Sequence, residues 1–466
     1  MGGPERSVPG VDTGTTPERA DVEQTLTRRG VLRAVTGGAA AVGVVNAAGK
    51  TVAAAEGNAP PEVWPMTGGS PSKTGQRGDV TGPKGRHPSL RWSARVTERV
   101  LTAPAVVGRT VYTGDRNGIV HAHSAADGEE LWRRGVGDWV DASPAVVDGS
   151  LFVGTRGGEA VSLSAADGEE RWRTTVDGWI RSPLTVADGV VYLGTTAGLV
   201  VALDAADGTV QWRFRAGDWV RSSPAVAGDL VVAGSYDGTL YAVDSETGAE
   251  EWAFETGSPI HGSAAVAGET AFVGSDDGTV SAVELAGGEE RWRASIDGSI
   301  RSSPATDGAT VYVGSDVGTV HAFAASDGTE RWTFKADHWI RTSPVVSDGT
   351  VFGATAGGSV FALDAADGRP VWVHATGDRI HASLALAEGA VYVGGLDAFV
   401  YAIETAEDDG DVGEPVPVEA EPDGGSEAAP LTLVGTLTGF FSDEKTLTEL
   451  EFTISALGVV YQMLGS

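Results

Sequence analysis

Ser302-Ser303-Pro304-Ala305, Thr310-Val311-Tyr312-Val313-Gly314-Ser315, Gly318-Thr319-Val320-His321-Ala322-Phe323, Asp327-Gly328 and Trp332 make up one unit that recurs along the chain. Its tryptophan sets the period. Trp92, Trp132, Trp172, Trp212, Trp252, Trp292, Trp332 and Trp372 stand 40 residues apart without an insertion or deletion. Short runs of β-branched and aromatic residues bounded by Asp-Gly or Gly-Gly read as strands joined by tight turns. Four such runs per 40 residues predict a four-stranded propeller blade. Leucine-rich, ankyrin and tetratricopeptide repeats fail on period or composition. WD repeats need an Asp after the tryptophan, whereas Trp132, Trp172, Trp212 and Trp292 are followed by arginine.

The expected fold is all-β, an eight-bladed propeller of four-stranded blades over residues 90–405. The order of the pieces also predicts how the ring closes. Trp92 precedes the first set of middle strands, whereas the last set, from Ile380 to Ile403, has no tryptophan strand after it. The strand around Trp92 is therefore expected to complete the last blade, so that no edge is left open.

Ser-Pro-Ala-Val, Val-Tyr-Val-Gly-Ser, Asp-Gly, Tyr-Ala-Val-Asp, then Gly and Trp resembles the pyrroloquinoline-quinone (PQQ) repeat. The resemblance covers residues 64–405, and the prelude Trp64-Pro65-Met66-Thr67-Gly68-Gly69-Ser70-Pro71-Ser72-Lys73-Thr74-Gly75 is similar to the segment that opens single-propeller members. It implies that the eight tryptophans are structural and pack between blades. It leaves function open, because that family holds quinone-dependent alcohol and sugar dehydrogenases and also cofactor-free propellers, such as the lipoprotein that supports outer-membrane barrel assembly. The chain departs from both, with no cysteine to lie over a quinone or carry a lipid and only minimal connections between blades.

Composition narrows the rest. The net charge is −31, which argues against a nucleic-acid partner. Only Lys50, Lys73, Lys84, Lys335 and Lys445 are lysines, and a carboxylate-rich, lysine-poor surface is the pattern expected of a halophile, where molar salt shortens the Debye length to about 3 Å. The absence of cysteine excludes disulfides, thiolate metal sites and a cysteine nucleophile.

Thr27-Arg28-Arg29-Gly30-Val31-Leu32-Arg33 resembles a twin-arginine export motif, followed by the uncharged stretch Ala34 to Ala48 and a small-residue cleavage pattern at Ala53-Ala54-Ala55. The expected organisation is an export signal (1–55), a lead-in segment (56–89), the propeller (90–405), an acidic Gly/Pro/Glu-rich linker (406–430) and a C-terminal segment (431–466). In the last, Leu447, Leu450, Ile454, Leu457, Tyr461 and Leu464 share one face of a helix suited to docking or partner binding. The mature protein is expected to be extracellular or cell-surface, monomeric and without a transmembrane domain.

Sites in propellers gather at one mouth of the central channel, so columns of repeat positions that converge there are the candidates. One column aligns Leu101, Asp141, Arg181, Arg221, His261, Arg301, Arg341 and His381; two residues earlier lie Trp139, Trp179, Trp219 and Trp339. Arginines there offer forked donors to a carboxylate, phosphate or sulfate, and tryptophans can stack on a planar ligand or a sugar. The same pattern also arises if duplicated arginines simply bond a neighbouring blade. His261 and His381 have no partner at a metal-ligand spacing, the Asp-Gly pairs (Asp276-Asp277-Gly278 among them) read as turns rather than calcium loops, and no catalytic residue is visible. The function expected is a non-enzymatic scaffold that binds a protein partner or a small anionic or saccharide ligand, with no resident cofactor. The alternative is a quinoprotein dehydrogenase that holds PQQ with calcium at the channel mouth.

Overall fold

The computed structural model describes residues 63–77 and 80–406, so the export motif, the acidic linker and the C-terminal stripe lie outside the described residues. The described chain is strand and turn throughout. After β1 (Pro88–Arg95), blade 1 is built from β2 (Ala105–Val107), β3 (Thr110–Gly114), β4 (Ile119–Ser124) and β5 (Glu130–Gly135), paired antiparallel in sequence order. Six blades repeat the pattern as β6–β9 (145–175), β10–β13 (185–215), β14–β17 (225–255), β18–β21 (265–295), β22–β25 (305–335) and β26–β29 (345–375).

The eighth blade closes the ring as the orphaned pieces predicted. Its order is β30 (Ala385–Ala387), β31 (Ala390–Gly394), β32 (Phe399–Thr405) and then β1, which pairs with β32 from Pro88 opposite Thr405 to Arg95 opposite Phe399. The two ends of the domain thus share one sheet, and the outer edge of the last blade is covered.

The tryptophans occupy the seams between blades. In seven of the eight, the indole N–H donates to a carbonyl 33 residues on in the next blade, from Trp92 to Ala125 (2.9 Å) through Trp332 to Ala365 (2.9 Å). Trp372 Nε1 has no such partner. Beneath Trp212 lies Gly248 with φ +70°, and a Cβ there would fall 2.7 Å from the indole. Both the left-handed backbone and the contact require glycine.

The innermost strands carry a second belt. Ser223 N–H donates to Ser263 Oγ (2.8 Å), Ser263 N–H to Ser303 Oγ (2.9 Å), Ser303 N–H to Ser343 Oγ (3.0 Å) and Ser343 N–H to Ser383 Oγ (3.1 Å), which ties each blade to the next at 40-residue spacing. Ser303→Ala leaves the Ser263 N–H without its acceptor and is expected to cost about 1–3 kcal/mol of unfolding free energy in a denaturant titration. A cost within error of zero would mean that water replaces the hydroxyl.

The channel is not empty. The lead-in segment runs through it as a hub and accepts a backbone hydrogen bond from the innermost strand of blade after blade. Val106 N–H donates to Trp64 O (2.8 Å), Val146 to Pro65 (2.8 Å), Val226 to Pro71 (2.9 Å), Val266 to Ser72 (2.8 Å), Thr306 to Thr74 (2.8 Å) and Val346 to Gly75 (2.8 Å). An inner strand otherwise presents unpaired N–H groups to the axis, and these carbonyls satisfy them. Trp64, Met66 and Lys73 are buried as a result.

Candidate functional site: the ringed mouth

The two candidate columns lie on the face that carries the connections between blades and the turns between each second and third strand. Local packing fixes them there. The residue before each column position is a buried Val or Ile, and in blades other than the seventh it sits on the glycine ending a second strand; a Cβ on Gly114, Gly154 or Gly234 would lie 2.3 Å from Val140, Ile180 or Ile260. The residue after it is pinned as well: Ser222 Oγ donates to Gly234 O (2.8 Å), and Ser302 Oγ to Gly314 O (2.9 Å). The side chain between these anchors is held at the mouth.

The sequence-level columns omit their partners. A further column from the turns (Arg116, Arg156, Thr196, Tyr236, Asp276, Asp316, Ala356 and Leu396) interleaves with the arginines. Arg301 Nε donates to Asp276 Oδ1 (3.2 Å), Arg341 Nε to Asp316 Oδ1 (3.0 Å) and Nη2 to Asp316 Oδ2 (3.2 Å), while Arg116 Nε donates to Asp141 Oδ1 (3.1 Å). Each pair is 25 residues apart and bridges two blades. Arg116, Arg301 and Arg341 thus bond carboxylates across the seams rather than backbone carbonyls. The signal was in the repeat itself, because the sign is exchanged between Arg116–Asp141 and Asp276–Arg301 at the same two repeat positions.

From blade 4 to blade 7 the pairs form a chain. Arg221 Nη1 donates to Tyr236 Oη (2.7 Å), which lies 2.7 Å from His261 Nδ1, and His261 Nε2 lies 3.0 Å from Asp276 Oδ2. Burial holds His261 below the usual histidine value against the opposing pull of Asp276. A neutral imidazole that accepts from Tyr236 and donates to Asp276 satisfies every group in the line. Burial, reinforced by Arg341 and Arg379, also holds His381 down.

The other arc differs. Among the described residues Arg181 has Asp141 as its one carboxylate neighbour, at 3.6 Å, its Nε lacks a hydrogen-bond partner, and burial together with Arg221 lowers its pKa. Above this arc stand Trp139, Trp179 and Trp219, which are 37 %, 40 % and 41 % exposed. The Arg156 guanidinium lies 4.6 Å from the Trp139 ring and 4.1 Å from the Trp179 ring, in cation–π range of both. Trp339 stands apart on blade 7, with Arg341 4.8 Å from its ring. Over the two polar columns six arginines face three aspartates, a local positive excess in a chain of net charge −31. Such a surface can grip a carboxylate or other anion by direct contact while it buries an apolar or planar group.

The family model described as outer membrane protein assembly factor BamB matches residues 116–217, 187–303 and 276–439. No curated protein sequence matches the chain. Among solved structures, BamB from Moraxella catarrhalis is 22 % identical with a TM-score of 0.61, over 69 % of this chain and 98 % of that one. The quinohemoprotein alcohol dehydrogenase from Comamonas testosteroni is 16 % identical with a TM-score of 0.63, over 73 % and 80 %. A computationally designed protein, Ika8, is 20 % identical with a TM-score of 0.62, over 67 % and 98 %. At these identities the structural likenesses speak for the fold alone, and it is the sequence match over three overlapping stretches that places this chain in the PQQ-repeat family described as outer membrane protein assembly factor BamB.

Proposed function

We propose that this protein is an exported, non-enzymatic propeller that docks a partner protein on its ringed mouth, with the tryptophan arc as anchor and Arg181 and Arg221 receiving a carboxylate of the partner. The observation that carries this reading is the arc itself. Three large aromatic rings stay exposed on successive blades, Trp139 and Trp179 braced by Arg156 and Trp219 set against Tyr236. Buried aromatic and arginine anchors dominate protein–protein hot spots. The lead-in hub fills the channel below, so the arc presents a surface rather than the wall of a deep pore. Export accords with the family description, and the twin-arginine route and surface location rest on the leader motif alone.

The rival reading, PQQ with calcium, finds forked donors for the quinone's carboxylates in Arg181 and Arg221. The donor set for the cation fits poorly, since Asp141, Asp276 and Asp316 are each engaged by arginine or histidine. Calcium takes six to eight oxygens.

Affinity purification from the native cell envelope in high salt, followed by titration of the recovered partner, tests the proposal. Trp179→Ala and Trp219→Ala are each expected to weaken the complex about 30-fold, as a hot spot of about 2 kcal/mol requires. Full affinity in the double variant would overturn the docking surface. Saturable uptake of PQQ with calcium, lost in Arg181→Ala/Arg221→Ala, would favour the dehydrogenase.

A further inference from the structure

Blade 1 departs from the other seven at a place remote from their common chemistry. In the column through position 123 every other blade carries Leu, Val, Phe or Ile, from Leu163 to Ile403, as a seam between blades requires. Blade 1 has His123, which is 1 % exposed, and its Nδ1 is buried without a hydrogen-bond partner among the described residues. A buried polar atom left unpaired costs about 1–3 kcal/mol, so a histidine in place of leucine calls for something that repays it.

Its neighbours supply the rest of a ligand set. His121 lies two residues back on β4 and so on the same face; Glu130 is paired with His123 across β4 and β5, next to the register shift at Ala122. One ligand atom from each of His121, His123 and Glu130 lies within 4.8 Å of the others. Asp115, the only acidic residue in its repeat column, sits behind them. Its Oδ1 accepts the N–H of Asn117 (2.9 Å) and of Ile119 (3.0 Å), its Oδ2 accepts the Thr97 hydroxyl, and Oδ2 lies 3.0 Å from His121 Nε2.

A carboxylate fixed in this way holds the Nε2–H of His121 and leaves the Nδ1 lone pair facing Glu130 Oε2, 3.3 Å away. Two lone-pair atoms in opposition, with a third on His123 beside them, call for a cation between them. A single proton can serve one pair but not three donors. A carboxylate behind a ligating imidazole is the usual second support of a histidine metal site.

Blade 6 provides an internal control. His321 and Glu330 repeat the pair at 2.8 Å, but Phe323 stands in place of His123 and Ser315 in place of Asp115. There one proton on Nδ1 serves the pair and no third ligand stands beside it, although His321 Nε2 is buried without a hydrogen-bond partner among the described residues.

We propose that His121, His123 and Glu130 form a binding site for a first-row divalent cation, zinc by preference, at the seam where blade 1 meets the closing blade. Two imidazoles and one carboxylate suit zinc and leave one coordination position open. The site lies against the closure, because the His123 ring is 6.5 Å from that of Trp92 on β1 and Thr97 follows the same strand.

The test uses the full chain without an affinity tag, stripped with a chelator, refilled with ZnCl₂ in molar NaCl and followed by calorimetry and melting temperature. One zinc per chain is expected to bind saturably and raise the melting temperature. His123→Leu, which installs the residue other blades use, and Glu130→Gln, at the solvent edge of the cluster, are each expected to weaken binding at least about 10–100-fold. Cobalt in place of zinc is expected to give the visible bands of a four-coordinate site in the wild type and to lose them in His123→Leu. Absence of saturable binding in the wild type would overturn the site. So would zinc uptake that both variants retain, since it would belong to the acidic surface at large.

Discussion

Trp332→Ala is expected to lower the unfolding free energy by about 3–5 kcal/mol, against a total of roughly 5–15 kcal/mol for a typical domain. The indole spans the seam between blades 6 and 7, where it is 8 % exposed and donates to Ala365 O at 2.9 Å. The atom beneath it belongs to Gly368, φ +72°, where a Cβ would fall 2.5 Å from the ring. A glycine has no side chain to swing into the space left by the deletion, so relaxation is limited and the cavity term stays large. Trp372→Ala should cost about 1 kcal/mol less, because its indole N–H has no partner to lose. Trp179→Ala, seven residues after the structural Trp172, should change stability by no more than about 0.5 kcal/mol, since its ring is 40 % exposed. Denaturant midpoints at constant salt, read with their slopes, check all three. A loss below about 1 kcal/mol for Trp332→Ala would mean that the seams are held by the backbone belts instead.

That contrast between two classes of tryptophan is also a measure of what a sequence can disclose. Blades, period and ring closure were legible because each repeat restates the same turn glycines and the same seam tryptophan, and because an unmatched strand at one end answers a missing one at the other. The mouth columns were legible for the same reason: whatever differs among copies stands out against what does not. Asp276 and Asp316 were hidden because each sits in the turn between a second and a third strand, where a polar residue is unremarkable, and their second role appears only when the neighbouring blade brings Arg301 and Arg341 to them. The channel hub was hidden more deeply. It binds through the carbonyls of Pro65, Pro71, Ser72, Thr74 and Gly75, groups that any residue carries, so no side-chain pattern announces it. The cluster at His121 and His123 was not read from the sequence, because only the fold sets Asp115 and Glu130 beside the two imidazoles.

Lys73→Met is expected to stabilise the protein at neutral pH and to remove a pH dependence. Lys73 lies in the hub, 2 % exposed, and donates from Nζ to Thr67 O at 3.0 Å within its own turn. Ser263, Ser303, Ser343 and Ser383 line the small void beside it, about 10 Å³, at the lower limit for one water. Burial is the cause that lowers its pKa from 10.5 to about 7. The unfolded chain therefore binds this proton more tightly than the folded one between pH 7 and 10.5, so stability rises with pH across that window and carries the full penalty below it. At 1.36 kcal/mol per unit the penalty at pH 7 approaches about 5 kcal/mol, of which methionine recovers about 2–4 after the Thr67 carbonyl loses its donor. Tyr312, Tyr392 and Tyr401 are pushed up to about 12 by burial, which makes stability fall as pH rises above their ordinary value of 10, so the rise below pH 10 is the part to assign to Lys73. Unfolding free energies measured from pH 7 to 10 should climb in the wild type, stay nearly level in Lys73→Met, and converge toward pH 10. A variant less stable than the wild type at pH 7 would reverse the conclusion, because it would show a charged lysine that the ring of hydroxyls and carbonyls solvates well enough to serve as the hub's fastening.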